Sequence, residues 1–475
     1  MIPMSLSDIA RAIGAETSIL DNPFPQEGVV KDIRRVTTDS RDVRPGDLFF
    51  ALRGERFDGH RFVGEASAKG ALACVCACGA TPAVDTGPPV PLLWVENTVA
   101  ALGRLAAHYR RSVMSVGTVV VAVTGSNGKT TTKCMIDHVL GGSLRGRASP
   151  KSFNNHIGVP LTLLSADADD RYLVVEVGTS APGEIASLAA MASPDAAVIT
   201  SIGEAHLQGL GSLEDVAAEK ASLLQHVRPG GFAVVNIDQP EIRPQLAHTT
   251  GLRVVTVGTD VNARLRVADR RSSIDHTTFT LDGRFTVELP MPGAHHAMNA
   301  AAAFAVARWL GIACEQIIER LRTFVPPEGR TRRFEIGDLT LIDDAYNANP
   351  ASVVAAIEAL CSAGSARRVL VLGDMLELGG GSGSYHVRMV KAAVEAGIEV
   401  LIAVGPMTAA AARSLDKSAP GTQVYPCDNA QAACAILDVV LAPGDTVWVK
   451  ASRGMRLDRV VGHLQARSGV QAAVA

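Results

Sequence analysis

The chain has 475 residues, room for about three domains at roughly 150 residues each. It is 47% apolar with a formal net charge of −3, so it can bury a large core and carries no global basic field of the kind that nucleic-acid binding uses. No run of about 18 apolar residues predicts a membrane span, and the first residues lack the charged and apolar regions of a signal peptide. The expectation is a cytoplasmic enzyme, a monomer by default, without nucleic-acid or membrane partners.

Residues 1–112 read as short strands around a polar loop, Asp39-Ser-Arg-Asp-Val-Arg-Pro-Gly-Asp-Leu-Phe-Phe-Ala-Leu-Arg-Gly54. Cys74, Cys76 and Cys78 alternate, which places all three on one face of a strand as small buried hydrophobes. A metal site there would want Cys-x-x-Cys turns, and none is present. Thr86-Gly-Pro-Pro-Val-Pro91 predicts a surface loop before a strand at 92–95, and a helical pattern covers 98–111.

The next stretch, Val119-Val-Val-Ala-Val-Thr-Gly-Ser-Asn-Gly-Lys-Thr-Thr131, is the most informative in the chain. Residues 118–123 predict a buried strand, 124–129 a tight loop, and a helix runs on to about 140. That order cradles phosphate. Gly125 and Gly128 let the backbone approach without a Cβ clash, and the first-turn N–H groups and helix dipole favour an anion. Lys129 can reach β- and γ-phosphates, and the Thr130 hydroxyl suits Mg²⁺. The full loop pattern has glycine at 123, where this chain has Val123.

Beyond it, 172–177, 196–200 and 232–236 predict further buried strands alternating with helices, hence a mostly parallel, doubly wound sheet closed by an Ala-rich helix at 297–311. Val325-Pro-Pro-Glu-Gly-Arg330 predicts a hinge or linker. Strands at 339–343, 369–373, 400–405 and 446–450 repeat the rhythm in a last α/β unit. The three units are expected at 1–112, 113–326 and 327–475.

The remaining candidates sit at strand ends, where open α/β sheets place ligands. Glu176 closes its strand and is a plausible Mg²⁺ ligand. His206 follows a strand in Ile-Gly-Glu-Ala-His-Leu, and on its own is as much a loop residue as a ligand. Lys220, in Glu214-Asp-Val-Ala-Ala-Glu-Lys, reads by itself as a solvated helix lysine. Asn154-Asn155-His156 is a polar turn that could hold a phosphate or substrate, or simply make side-chain turn bonds. His295, His296 and Asn299 open the late helix as capping or loop groups. Asp343-Asp-Ala-Tyr-Asn-Ala-Asn-Pro350 and Gly373-Asp-Met-Leu-Glu-Leu-Gly379 follow apolar strands with polar loops, which makes a crevice suited to a second ligand.

Together, Thr124-Gly-Ser-Asn-Gly-Lys-Thr-Thr131, Asn154-Asn155, Glu176, Ala205-His206-Leu207 and Lys220 resemble the Mur ligase family of ATP-dependent amide-forming enzymes. The two C-terminal motifs resemble the member that joins D-alanyl-D-alanine to a UDP-N-acetylmuramoyl-tripeptide (UDP-MurNAc-tripeptide). The Asp-Asn-Pro-Arg of the third-residue ligase is missing. The resemblance implies a small N-terminal domain for the uridine nucleotide, a central ATPase domain and a C-terminal Rossmann-like domain. It assigns the ATP phosphates to Thr124, Gly125, Ser126, Asn127, Gly128, Lys129, Thr130 and Thr131. It assigns adenine to Asn299, and phosphate and ribose to Arg330 and Asp344, with Tyr346 and Asn347 nearby. One Mg²⁺ falls to Thr130 and Glu176. A second falls to His206 and Lys220, the lysine carbamylated so that it presents an anion rather than an ammonium to the metal. Lys129, Glu176, His206 and Lys220 are thereby the expected catalytic set. Ser40 and Arg41 are expected in the uridine pocket, Asn154 and Asn155 beside the substrate. Lys450 and Ser452 match a Lys-Gly-Ser motif whose glycine is Ala451 here. Two rivals stay open: another ligase on the same scaffold, such as folylpolyglutamate synthase, and a nucleotide-driven switch with no second substrate.

Overall fold

A computed structural model of the chain describes residues 1–16, 32–54, 57–83, 90–247, 249–362, 364, 367–415 and 421–467. Residues 86–89 of the proline-rich segment lie outside the described residues. Three sheets follow one another along the chain. The first holds Val36–Thr37, Leu48–Phe50, Ala73–Ala77 and Leu92–Val95, paired in parallel in that order. Cys74 and Cys76 are buried under it as expected, but Cys78 lies past the end of its strand and is exposed, because the alternation ends where the strand does.

The central sheet has nine strands. From one edge they run Gly146–Ala148, Tyr172–Glu176, Val119–Thr124, Ala196–Ile199, Phe232–Asn236, Arg253–Gly258, Leu265–Ser272, Thr277–Leu281 and Phe285–Leu289. Pairing is parallel as far as Leu265–Ser272 and antiparallel for the last two. The phosphate-loop strand is central, apolar on both faces and fully sandwiched by helices, the environment a continuous Val run requires. The third sheet orders Arg332–Ile336, Leu339–Asp344, Asp445–Lys450, Arg367–Gly373, Val400–Val404 and Gln423–Cys427, with only the first pairing antiparallel.

The helix predicted over 98–111 is α-helical only through Thr98–His108, started by the Asn97 side chain, which accepts from Ala100 N. It then widens into a π-turn, Tyr109–Val113. That turn is where the first two units are joined. The Tyr109 hydroxyl donates to Ala166 O at 2.6 Å and accepts from Ile2 N at 2.7 Å. Arg110, also buried, donates to Ala192 O at 3.0 Å and pairs with Asp195 at 2.7 Å. The apolar core is shared as well: Ile9, Phe50, Leu102 and Leu105 pack in one cluster with Val120, Leu173, Ile185 and Val216. The last unit keeps cores of its own around Ile342, Leu370, Val449 and Val460.

Candidate active site

Every strand-end candidate of the central sheet opens on the same side. The Thr124–Gly128 loop leaves its strand with Gly125 at φ 151° and Gly128 at φ 80°, conformations that glycine reaches and side chains do not. Asn127 N bonds Ser201 Oγ at 2.8 Å, and Ser126 Oγ bonds Gly203 O at 3.0 Å, which pins the loop to the neighbouring strand end. Lys129 is the first residue of the helix Lys129–Leu140 and donates to Gly125 O at 2.7 Å. Burial, partly offset by Glu176, holds its pKa down at about 8.

Glu176 is buried at 1% exposure, not a charged strand end in solvent. Its Oε2 accepts from the Thr130 hydroxyl at 2.9 Å, and its Oε1 accepts from Asn154 Nδ2 at 2.9 Å. Lys133, one helical turn beyond Lys129, is buried too. It lies 3.5 Å from Glu176, bonds Ser149 O at 2.8 Å and also reaches Lys151 O. Asn155 turns the other way: its Oδ1 accepts from the Ile157 and Gly158 amides and starts the helix Gly158–Leu163, the local-bonding alternative for that turn.

Lys220 is not a solvated helix lysine. It lies in Leu213–Ala221 at 1% exposure, because the helix turns that face onto the sheet end. Burial and then the charge of Lys129 lower its pKa to about 7, with Glu219 opposing. His206 has φ 58° and sits at the start of the short helix Leu207–Leu210. Burial first, then the charges of Lys129 and Lys220, lower its pKa, with the Glu377 carboxylate opposing them. His206 Nδ1 lies 2.6 Å from Glu377 Oε2, a carboxylate of the third unit.

More of the third unit reaches the loop. Asn349 Nδ2 donates to Asn127 Oδ1 at 2.8 Å. Arg330 Nη2 comes within 3.5 Å of Thr130 Oγ1, and its guanidinium lies 4.1 Å from the centre of the Tyr346 ring. Arg453 covers the same ring at 5.1 Å and bonds its hydroxyl at 3.0 Å. The buried Arg330 Nε has no partner. Asp344 is tied to Lys450 Nζ at 2.6 Å, and Lys450 also donates to Asn347 O at 3.1 Å. Ser452 Oγ accepts from Leu376 N at 2.9 Å. Lys450 and Ser452 therefore brace the Asp344–Asn349 and Leu376 loops against each other.

Asn299 lies in the helix His296–Trp309, buried, and its amide contacts His296 Nδ1 at 3.1 Å. A Cβ on Gly128 would meet its Oδ1, so the amide lies directly over the phosphate loop. His296 is buried inside the helix rather than a free loop group, and burial followed by the neighbouring His295 pushes its pKa well down. Ser40 and Arg41 are not brought to this cleft. Ser40 Oγ bonds Glu65 at 3.2 Å, and Arg41 pairs with Asp39 at 2.7 Å beside the first sheet.

Lys133 and Arg453 were not singled out from sequence, and Glu377 and Asn349 only as members of the two polar strand-end loops. Lys133 carried a usable signal, since position i+4 from Lys129 lies on the same helix face. Glu377 and Asn349 act across units, and Arg453 meets Tyr346 over 107 positions inside the third unit; local spacing shows neither.

The chain matches three family models in order: the Mur ligase family catalytic domain over 32–110, the Mur ligase middle domain over 123–307 and the Mur ligase glutamate ligase domain over 329–453. It is 35% identical to the UDP-N-acetylmuramoyl-tripeptide–D-alanyl-D-alanine ligase of Bacillus subtilis, covering 98% of this chain and 99% of the relative. The enzyme of the same name from Escherichia coli is 34% identical over the same shares. Among solved structures, MurF from Acinetobacter baumannii superposes with TM-score 0.86 at 28% identity, covering 98% and 99% of the two chains. MurF ligase from Thermotoga maritima in complex with ADP gives 0.77 at 29% identity, covering 92% and 98%. Three matched models in sequence order and full-length relatives agree with the cleft built above, and the chain belongs to the Mur ligase family, in its tripeptide–D-alanyl-D-alanine ligase branch.

Proposed function

We propose that the chain is an ATP-dependent ligase that joins D-alanyl-D-alanine to UDP-MurNAc-tripeptide, giving the pentapeptide precursor of peptidoglycan. The observation that carries this reading is the convergence of Lys129, Glu176, Lys220 and His206 on one cleft that Arg330, Tyr346 and Glu377 close from the third unit. A nucleotide switch has no need of that second wall.

The cleft fits a triphosphate. A Cβ at Gly125 or Gly128 would strike Thr200 Oγ1 or the Asn299 amide, so glycine lets the loop keep a tight turn whose amides can meet an anion, and the buried Arg330, with its Nε unpartnered, adds positive charge near Lys129. It also fits Mg²⁺, which keeps several waters and takes only one or two carboxylates from protein. Thr130 and Glu176 are oxygen donors already at contact distance, and no group of three or more acidic, His or Cys side chains forms a closed cage among the described residues. His206 and carbamylated Lys220 would hold a second ion. Carbamylation needs a neutral amine, which a pKa of about 7 supplies at ordinary pH. When bound, the metal neutralises charge building on the transferring phosphoryl group.

The terminal carboxylate of the tripeptide attacks the γ-phosphorus, the bond to the β-phosphate oxygen breaks, and an acyl phosphate and ADP result. The dipeptide amine then adds to the acyl carbon and loses a proton, and inorganic phosphate leaves. Two anions must meet in the first step. Lys129 and Arg330 place positive charge on either side of the phosphate loop to offset that repulsion. Closure of the third unit over the loop excludes water that would hydrolyse the acyl phosphate.

In this reading, residues 1–112 hold the uridine nucleotide through Ser40 and Arg41, 113–326 bind ATP, and 327–475 bring the dipeptide. Asn299 contacts adenine, Asp344, Tyr346 and Asn347 the ribose side, and Asn154 the substrate carboxylate region beside Glu176. Both nucleotide substrates place the reaction in the cytoplasm, with one chain supplying every group. None of the helices among the described residues is long and apolar enough to cross a membrane. The test is phosphate release that requires both the nucleotide tripeptide and the dipeptide, with the amide product identified by mass. Undiminished release with neither substrate rejects the reading, and a panel of amine acceptors separates it from sibling ligases.

A further inference from the structure

His206 and Glu377 face each other across the cleft, and both backbones are left-handed, with φ 58° and 64°. The ring nitrogen and the carboxylate are 2.6 Å apart, and Gln208 N donates to Glu377 O at 3.4 Å beside them. A second ion pair crosses the same interface next door: Arg388 to Glu204 at 2.7 Å, with the Arg388 guanidinium over Tyr385. The Glu377 side chain is more than half exposed, so it fills no core position. What it does touch is the Nδ1 ring nitrogen of His206.

We propose that Glu377 is a positioning residue for the ligase reaction. Its carboxylate accepts the Nδ1 proton of His206, fixes the ring tautomer, and leaves the Nε2 lone pair free to accept. A carboxylate behind an imidazole is a general way to orient a histidine and raise its basicity as a ligand. Here the carboxylate belongs to the unit that brings the second substrate. The histidine is therefore correctly presented only when that unit is docked, and closure assembles the site rather than merely covering it. The inference rests on the ligase reading, yet the ring orientation can be measured without turnover.

The experiment uses full-length Glu377→Ala and Glu377→Gln. Arg388–Glu204 and the Gln208 amide remain in both, so docking does not depend on the removed group. Ring ¹⁵N spectra of histidine-labelled protein, with the His206 signals assigned from a His206→Gln variant, report the tautomer. Steady-state amide formation reports kcat and KM. In wild type Nδ1 carries the proton. Glu377→Ala mixes the tautomers and lowers kcat by about tenfold to a hundredfold, while KM for ATP moves less than about threefold. Glu377→Gln, whose amide oxygen still accepts from Nδ1, restores the tautomer and most of kcat. Wild-type kcat in Glu377→Ala, an unchanged tautomer there, or a Gln variant as impaired as the Ala variant overturns the proposal. Wild-type protein that makes no amide overturns only the ligase reading, since the tautomer readout stands apart from it.

Discussion

The Thr130 hydroxyl and Glu176 Oε2 meet at 2.9 Å although 46 positions separate them, and the same carboxylate oxygen lies 3.5 Å from the buried ammonium of Lys133. The pocket thus holds a buried ion pair at its floor. Breaking such a pair from one side strands a charge, which costs about 3–5 kcal/mol. Glu176→Ala is expected to lose stability in that range as well as activity. Glu176→Gln, which still accepts from Thr130, loses less. Adding Lys133→Met to the Gln variant recovers part of the loss in urea melts. A single Ala variant as stable as wild type would show that the pair contributes nothing.

Lys220 makes stability depend on pH. Its folded pKa is about 7 against an ordinary 10.5, so between these values the unfolded chain holds a proton that the folded chain does not. Stability from this group rises with pH across that window, and the penalty of burying the ammonium is fully present below about 7. In bicarbonate-free buffer Lys220→Met is expected to be more stable than wild type at pH 6, on the order of a few kcal/mol. The gap should close towards pH 10. Comparing the two proteins isolates Lys220 from Lys129, which acts in the same direction. Activity falls sharply in the variant; wild-type activity in Lys220→Ala would remove the carbamate and second-metal assignment.

Lys129→Ala is expected to abolish turnover and keep a cooperative melt. Its ammonium is bonded to a loop carbonyl and is disfavoured by burial, so its removal relieves a cost rather than opening a core. Phosphate release and calorimetry on one preparation check both halves. Loss of the cooperative transition would mean that the lysine holds the loop together.

At Gly128, alanine would face two obstacles: a φ of 80° and the Asn299 amide in the space of its Cβ. Strain of this kind costs about 1–3 kcal/mol. Gly128→Ala should lower stability by that order and weaken ATP binding more than Gly211→Ala, whose added Cβ meets only the Asp215 carboxylate at 3.3 Å away from the loop. Titration calorimetry with ATP and magnesium compares the two.

Local sequence announced what local sequence controls. The Val119–Thr124 strand, the glycine loop and the Lys129–Leu140 helix were readable because propensity, periodicity and turn chemistry agree there. The strands Leu92–Val95 and Phe232–Asn236 fell where the apolar runs placed them. Arg253–Gly258 through Phe285–Leu289 were not foreseen, because half-exposed strands such as Leu265–Ser272, with its arginines facing water, lack a continuous apolar run. In the cleft, Thr130 and Glu176 announced themselves by position. Lys220 looked like a surface residue until the fold buried it, and the resemblance alone pointed to it. Glu377 and Asn349 meet His206 and Asn127 only through the packing of one unit on another, which no spacing rule encodes.

The seam at Tyr109 and Arg110 bears on how the molecule moves. Hydrogen bonds from both side chains, and one apolar cluster running through both sheets, weld residues before and after the π-turn into a single mass. The remaining mass hangs on a Pro-Pro neck and touches the first mainly through polar tips. In scattering, the particle should therefore flex as a dumbbell with one pivot, not as a string of three beads.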